Sequence, residues 1–186
     1  MTATSNDAQV VKSKGFFTPI RISRMAILIA LSVVGAFIKV PTPTGDAGLD
    51  SVPAYFAAMM KKWDWKESAI IAVLARLLAA AVVGFPLGIV IQLLLGIANA
   101  SWVAVVARLA RLRFGYIAAI VATEIWALVI VLAAGPALYI IALGMTYEAA
   151  FALGLAGLPG LMVAAGLAVV IAVAAAKALE NTALNK

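Results

Sequence analysis

The sequence predicts an all-α polytopic membrane protein, a bundle of six transmembrane helices with both termini in the cytoplasm. Of its 186 residues, 66% are hydrophobic and only 12% are charged, and the mean hydropathy is +1.12. An ordinary soluble domain is roughly 45–50% apolar and about 25% charged. Because so few polar side chains cannot cover a water-soluble globule, we expect lipid to surround most of the chain. The apolar residues also form segments of about the 20 residues that a membrane span needs.

The first three helices follow from the positions of apolar segments and helix breakers. The first is predicted over residues 22–40 and ends at Pro41, because proline terminates helices. The second, over 51–60, is short for a span and crosses only if part of the preceding loop enters the protein. The third is predicted over 67–83 and stops at the Gly/Pro-rich turn 84–88.

The second half of the chain predicts three more helices. The fourth covers residues 87–107, and the fifth covers 116–134 and is closed by the pair Gly135–Pro136. Residues 137–159 are apolar but irregular, and we expect a continuation of the fifth helix followed by a re-entrant loop. The last helix is predicted over 160–177.

The basic residues predict the orientation of this bundle. Residues 21–180 form a single six-span membrane domain, flanked by a polar cytoplasmic tail at 1–20 and a short one at 181–186. Lysine and arginine collect in cytoplasmic loops. If both termini are cytoplasmic, all of the 14 basic residues except Lys39 and Arg76 lie in cytoplasmic tails or loops or at the adjoining helix ends. The residues so grouped are Lys12, Lys14, Arg21, Arg24, Lys61, Lys62, Lys66, Arg108, Arg111, Arg113, Lys177 and Lys186.

Polar side chains at membrane depth are candidate functional residues, because an ionisable group there is costly. Arg76, Glu124 and Asn99 fall at about the same depth when each is counted from the basic end of its helix. We expect Arg76 and Glu124 to form a buried charge pair that fixes helix packing; alternatively, one or both contact a solute. Gln92 lies in the outer third, where it binds a ligand or forms an interhelical hydrogen bond.

The outer loops and nearby aromatic residues supply further binding candidates. The first outer loop contains Asp46 and Asp50 among turn-forming residues, and such a loop either lies on the surface or covers a cavity. Trp126, Tyr139 and Tyr147 can stack on a planar ligand, although aromatic residues of membrane proteins are more often packing or interface anchors.

Several function classes are excluded or disfavoured. Cysteine and histidine are absent, which removes thiolate nucleophiles, histidine acid–base chemistry and Cys/His zinc sites. No phosphate-binding loop of the G-x-x-x-x-G-K-[ST] type occurs. We therefore expect no enzyme, no catalytic residue, no metal and no cofactor, and no nucleic-acid binding because no folded basic module is present.

Three features of the sequence resemble one family. They are the motif Ala26-x-x-x-Ala30 on the first helix, the segment LDSVPAYFAA (residues 49–58) that ends the first outer loop, and GFPLG (residues 84–88). Together with six apolar segments, they resemble the substrate-binding S component of energy-coupling factor (ECF) transporters. The likeness covers residues 21–177.

The resemblance implies a location, partners and a site. It implies a prokaryotic cytoplasmic membrane, a transmembrane coupling protein that docks on Ala26 and Ala30, and two cytoplasmic ATPases. It implies capture of a vitamin or vitamin precursor, and the loop motifs look most like the branch linked to cobalamin precursors such as alpha-ribazole. The residues that it places in the pocket are Asp46, Asp50, Gln92, Asn99, Trp126, Tyr139 and Tyr147.

Two other classes of protein remain open from the sequence. One is a non-transporting membrane scaffold or assembly subunit, whose polar residues only fix helix packing. The other is a self-contained carrier in which Arg76 and Glu124 relay a proton. For a solute-binding protein, an accessible Arg76 favours a carboxylate such as pantothenate or biotin, and an accessible Glu124 favours a cation such as thiamine.

Overall fold

The chain is all-α apart from one small hairpin. A computed structural model describes residues 16–41, 47–84 and 88–180, so the two tails and two short loop segments lie outside it. The described residues form six helices: α1 (Pro19–Gly35), α2 (Val52–Met59), α3 (Trp65–Val83), α4 (Ile89–Leu109), α5 (Gly115–Leu143) and α6 (Tyr147–Ala178). Strands β1 (Lys39–Val40) and β2 (Ala47–Gly48) pair antiparallel, with Lys39 opposite Gly48. The prediction of an all-α fold is confirmed.

Three helices are long and apolar enough to cross a membrane. They are α4, α5 and α6, with 21, 29 and 32 residues and mean hydropathies of 2.1, 2.4 and 2.4. The other helices do not meet the same measure: α1 has 17 residues, α2 has eight, and α3 carries three charged side chains. Length and composition therefore indicate a membrane protein.

The outer faces of the long helices are apolar. Exposed side chains include Ile27 on α1, Leu78 on α3, Ile97 on α4, Ile125 on α5 and Val163 on α6. Soluble monomers do not expose large contiguous apolar surfaces of this kind. These faces are therefore suited to contact with lipid chains.

The first helix ends earlier than predicted, at Gly35 rather than at residue 40. Residues 39–40 extend and pair with β2 instead. The backbone of Leu49 packs against the end of α1, where its N–H donates to the Gly35 carbonyl at 3.1 Å. A Cβ at position 35 would lie 2.6 Å from the Leu49 carbonyl oxygen, so glycine is needed for this close approach.

The sequence predicted that the fifth helix ends at Gly135 and Pro136, but the helix continues through both residues. Residues Ile130–Ala134 form a π-helical turn, after which the helix continues over Gly135–Leu143. A π turn inserts one extra residue into the helix, and Pro136 then occupies a first-turn position, where its missing N–H is tolerated. The predicted continuation of the helix is therefore formed, whereas the predicted re-entrant loop is not, because residues from Tyr147 onward belong to the last helix.

The last helix also begins earlier than predicted, at Tyr147 rather than at residue 160. The Thr146 side chain accepts a hydrogen bond from the Ala149 N–H and caps the helix. Pro159 lies inside the helix, and proline in apolar surroundings can be accommodated where neighbouring helices pack around the break.

The short helix α2 lies in the centre of the bundle. It contacts α1, α3, α4 and α6, and Ala54, Tyr55, Ala57, Ala58 and Met59 are all buried. Three of these five side chains are alanine, which allows the surrounding helices to approach closely. This segment is therefore an internal helix within the bundle.

Four polar segments meet at one end of the bundle, which we call the basic end. The Lys61 ammonium bonds the Glu180 carboxylate at 2.8 Å, and this bond raises the pKa of Lys61. Arg111 donates to the Trp63 carbonyl at 2.8 Å. The α2–α3 turn, the α4–α5 turn and the end of α6 are thus joined there. The start of α1 joins them through Arg24, which binds Glu67 at the start of α3.

Candidate functional site

A cavity of about 900 Å³ lies inside the bundle, between the hairpin and α2 to α6. Its lining includes Gly48 of the hairpin, Val83 at the end of α3 and Tyr139 near the end of α5. Val83 and Tyr139 lie near the ends of their helices that are farthest from the basic end, and the hairpin lies on the same side. The cavity therefore opens toward the opposite end, which we call the hairpin end.

Arg76 is the main charged group of the cavity wall. Its Nη1 lies 3.3 Å from Asp50 Oδ2, and its Nε donates to Gln92 Oε1 at 3.0 Å. Asp50 follows the hairpin, whereas Arg76 lies on α3 and Gln92 on α4. All three residues line the cavity. One guanidinium thus joins the hairpin segment to two helices, and it leaves part of its surface facing the cavity.

The expected pair between Arg76 and Glu124 is not formed, because Arg76 binds Asp50 and Gln92 instead. The Glu124 carboxylate lies against α6, where its Oε1 would be 2.5 Å from a Cβ built on Gly166. Glu124 is not among the residues that line the cavity.

Gln92 and Asn99 line the cavity from one face of α4. They are separated by seven residues, about two helical turns, which places them on the same side. Gln92 is 3% exposed, and its amide oxygen accepts from Arg76. The interhelical hydrogen bond considered for Gln92 is therefore present, and the side chain also lies on the cavity surface.

The predicted aromatic residues separate into two groups. Trp126 and Tyr139 line the cavity, and the Trp126 ring stacks on Trp102 with centroids 4.9 Å apart and planes 5° apart. Tyr147 does not line the cavity: it is 63% exposed and its ring stacks on Phe151. The first two can offer ring surface to a solute, whereas Tyr147 lies on the outside of the molecule.

Some residues of the cavity wall were not predicted from the sequence, and one predicted residue lies outside the part of the chain that the structure describes. Asp46 lies outside the described residues. Lys39 and Thr123 line the cavity without having been predicted there. Thr123 lies three residues before Trp126, on the same face of α5, so the helical spacing from Trp126 could have indicated it.

The arrangement can bind a small solute through both polar and apolar contacts. Carboxylate, guanidinium and amide groups converge on one wall, and an indole ring and a phenol ring lie on another. A few converging polar groups in a largely apolar hollow are typical of ligand pockets. Within residues 16–41, 47–84 and 88–180, no group of three carboxylates is placed to hold a metal ion.

Ala26 and Ala30 lie on the exposed side of α1. Met25 and Ser32 on the opposite side are buried. The larger neighbours Ile27, at 60% exposure, and Leu31, at 52%, flank the two alanines. The face is therefore available to another helix.

Comparisons with family models, curated proteins and solved structures found no match to this chain. The fold and the cavity indicate a helical membrane protein with an open cavity lined by polar, aromatic and apolar side chains.

Proposed function

We propose that the chain is the solute-binding subunit, or S component, of an ECF-type importer. The observation that carries this proposal is an open cavity of about 900 Å³ within a bundle whose outer surface is apolar. A protein of this kind captures a vitamin or vitamin precursor outside the cell and releases it inside when coupled ATPases reorient it. It performs no catalytic step itself.

The proposal includes a six-span arrangement in a prokaryotic cytoplasmic membrane. The basic end would face the cytoplasm, in accordance with the preference of Lys and Arg for inner loops. The hairpin end, with the cavity opening, would then face outward. Supporting this orientation, Arg24, Lys61, Arg111 and Lys177 all lie in segments that meet at the basic end.

The proposed partners are a transmembrane coupling protein and two cytoplasmic ATPases. The contact with the coupling protein would use Ala26 and Ala30, because small residues let a partner helix approach closely. Their exposure on α1 supports this role.

The proposed solute is a cobalamin precursor such as alpha-ribazole, a benzimidazole nucleoside. The Trp126 indole offers a flat surface for a fused aromatic ring. Asn99 and Gln92 offer amide groups to the polar part of such a solute. A thiamine-like cation is less favoured, because Glu124 is not among the residues that line the cavity.

The direct experiment is to purify the chain with its cellular membrane partners and to identify the small molecules that remain bound by mass spectrometry. Alpha-ribazole, or another vitamin-like heterocycle, is the expected result, together with a coupling protein and two ATPases. Uptake that persists without the ATPases and stops when the proton gradient is dissipated would support the self-contained carrier instead. Absence of both bound solute and ATPases would favour a scaffold.

A further inference from the structure

We propose that Trp102 is a positioning residue of the solute site. It holds the Trp126 ring in place, and a flat solute ring binds on the other face of Trp126 as the third ring of one stack. This inference rests on the proposed solute-binding function and adds the orientation of the solute. It gives a role to Trp102, which is not among the residues that line the cavity.

The first observation is that two indole rings from neighbouring helices are stacked. Trp102 lies on α4 and Trp126 on α5, and their ring centroids are 4.9 Å apart with planes 5° from parallel. This is the offset-stacked arrangement that aromatic pairs prefer. Trp102 thus covers one face of the Trp126 ring, and the opposite face is the one that can receive a further ring.

The second observation is that Trp102 continues the face of α4 that lines the cavity. Gln92, Leu95 and Asn99 line the cavity from this face, and Trp102 follows Asn99 by three residues on the same side. Because α4 runs from the hairpin end to the basic end, Trp102 is the next position of that face toward the basic end. It therefore lies just beyond the part of α4 that lines the cavity.

The third observation is the level of the two residues along their helices. Trp102 precedes Leu109, the last residue of α4, by about 10 Å of helix. Trp126 follows Gly115, the first residue of α5, by about 16 Å. Since both of these helix ends lie at the basic end, Trp126 is attached nearer to the cavity than Trp102. Trp102 accordingly supports the Trp126 ring from the side of the basic end.

The fourth observation is that packing, and not a hydrogen bond, holds Trp102. Its side chain packs against the hydrophobic core of the bundle. Its Nε1 is buried and has no hydrogen-bond partner among the residues that the structure describes. Replacing this indole by another aromatic ring therefore removes no hydrogen bond, which makes phenylalanine a conservative substitution here.

The arrangement favours a solute with a planar aromatic ring system. Only a flat ring can lie parallel to the Trp126 indole over its whole surface. Asn99, one turn of α4 from Trp102, lines the cavity and can offer its amide to polar atoms at the edge of such a ring. A benzimidazole, as in alpha-ribazole, has both the flat surface and the polar edge.

The test is calorimetric titration of the purified full-length protein with alpha-ribazole, with circular dichroism and thermal unfolding of the same samples. Trp102→Leu removes the supporting ring, whereas Trp102→Phe keeps an aromatic ring at that position. Trp65→Leu is the matched control, because Trp65 is also a partly buried tryptophan packed against the core, but it lies at the basic end and does not line the cavity.

We expect Trp102→Leu to weaken alpha-ribazole binding by about threefold to tenfold, the range of one aromatic contact. Trp102→Phe and Trp65→Leu should bind within about twofold of the unchanged protein. Two coupled indoles should give the unchanged protein a pair of circular dichroism bands of opposite sign. Both Trp102 variants should lose these bands, Trp65→Leu should keep them, and saturating alpha-ribazole should alter them in the unchanged protein.

Equal affinity of the unchanged protein and Trp102→Leu would overturn the inference and leave the proposed function intact. Equal weakening in Trp102→Leu and Trp102→Phe, or in Trp102→Leu and Trp65→Leu, would also overturn it, since the loss would then not depend on a ring at position 102. Absence of the coupled bands would show that the two indoles do not stack. If the unchanged protein binds no alpha-ribazole, the proposed solute is wrong and the orientation inferred here is rejected with it.

Discussion

Arg76 on α3 and Asp50 after the hairpin form an ion pair, with Nη1 and Oδ2 separated by 3.3 Å. The same guanidinium donates to Gln92 on α4. The pair therefore holds the hairpin segment over the cavity and links it to the wall that α3 and α4 form. Any solute that enters must fit beside these groups or replace one of their contacts.

The first prediction concerns the energy of this pair. Replacing Arg76 by Met or Asp50 by Asn should each lower the free energy of unfolding by about 1–2 kcal/mol, which is less than for a fully buried pair because the Arg76 side chain is 35% exposed. In the double variant the two losses should be non-additive by about 1 kcal/mol. Thermal unfolding in detergent measures each term.

Glu124 provides the control for that experiment. Arg76→Met and Glu124→Gln should have additive effects, because Glu124 lies against Gly166 and not beside Arg76. A coupling between Arg76 and Glu124 as large as that between Arg76 and Asp50 would contradict the contacts described above.

The second prediction concerns Glu67, the most deeply buried carboxylate of the basic end. Its side chain is fully buried, binds Arg24 at 2.6 Å and completes the cap of α3 with Asp64. Glu67→Ala should lower the unfolding free energy by about 3–5 kcal/mol, since it leaves a partly buried guanidinium without its partner. The exposed Glu148→Ala, in the first turn of α6, should change it by less than about 0.5 kcal/mol.

The third prediction tests the aromatic wall of the cavity. Trp126→Leu should weaken alpha-ribazole binding about tenfold, because stacking on the indole is lost. Tyr147→Leu should leave binding unchanged, since Tyr147 lies outside the cavity. Calorimetric titration of the purified protein measures both affinities. Equal effects of the two substitutions would show that the solute does not contact the Trp126 ring.

The fourth prediction tests the exposed face of α1. Ala30→Trp should prevent copurification of the coupling protein and ATPases, because the larger ring holds the partner helix away. Val121→Trp on the exposed face of α5 is the matched control and should leave the complex intact. Solute binding by the isolated chain should be unaffected in both variants. A complex that survives Ala30→Trp would exclude docking at this face.

The fifth prediction tests the orientation, and the natural absence of cysteine makes it simple. Single-cysteine variants Glu148→Cys at the hairpin end and Arg113→Cys at the basic end are expressed in whole cells. A membrane-impermeant maleimide added outside should label position 148 in intact cells and position 113 only after the membrane is opened. Labelling of position 113 in intact cells would reverse the proposed topology.

Gln92 and Asn99 were chosen from the sequence for their depth on the fourth helix, and the structure places both, two turns apart on α4, on the cavity wall. The depth argument for Arg76 and Glu124 was insufficient, because equal depth does not specify the direction in which a side chain points. The partner of Arg76 is Asp50, which is 26 residues away in the chain.

The amino-acid sequence alone determined the all-α fold and the apolar surroundings of the bundle, because these depend on composition and on the lengths of apolar segments. It also grouped the basic segments that meet at one end. Only the tertiary structure decided the partner of Arg76, the direction of Glu124, the course of α5 through Pro136, and the burial of α2 among its neighbours. These features depend on helix rotation and on contacts between distant segments, which local composition does not specify.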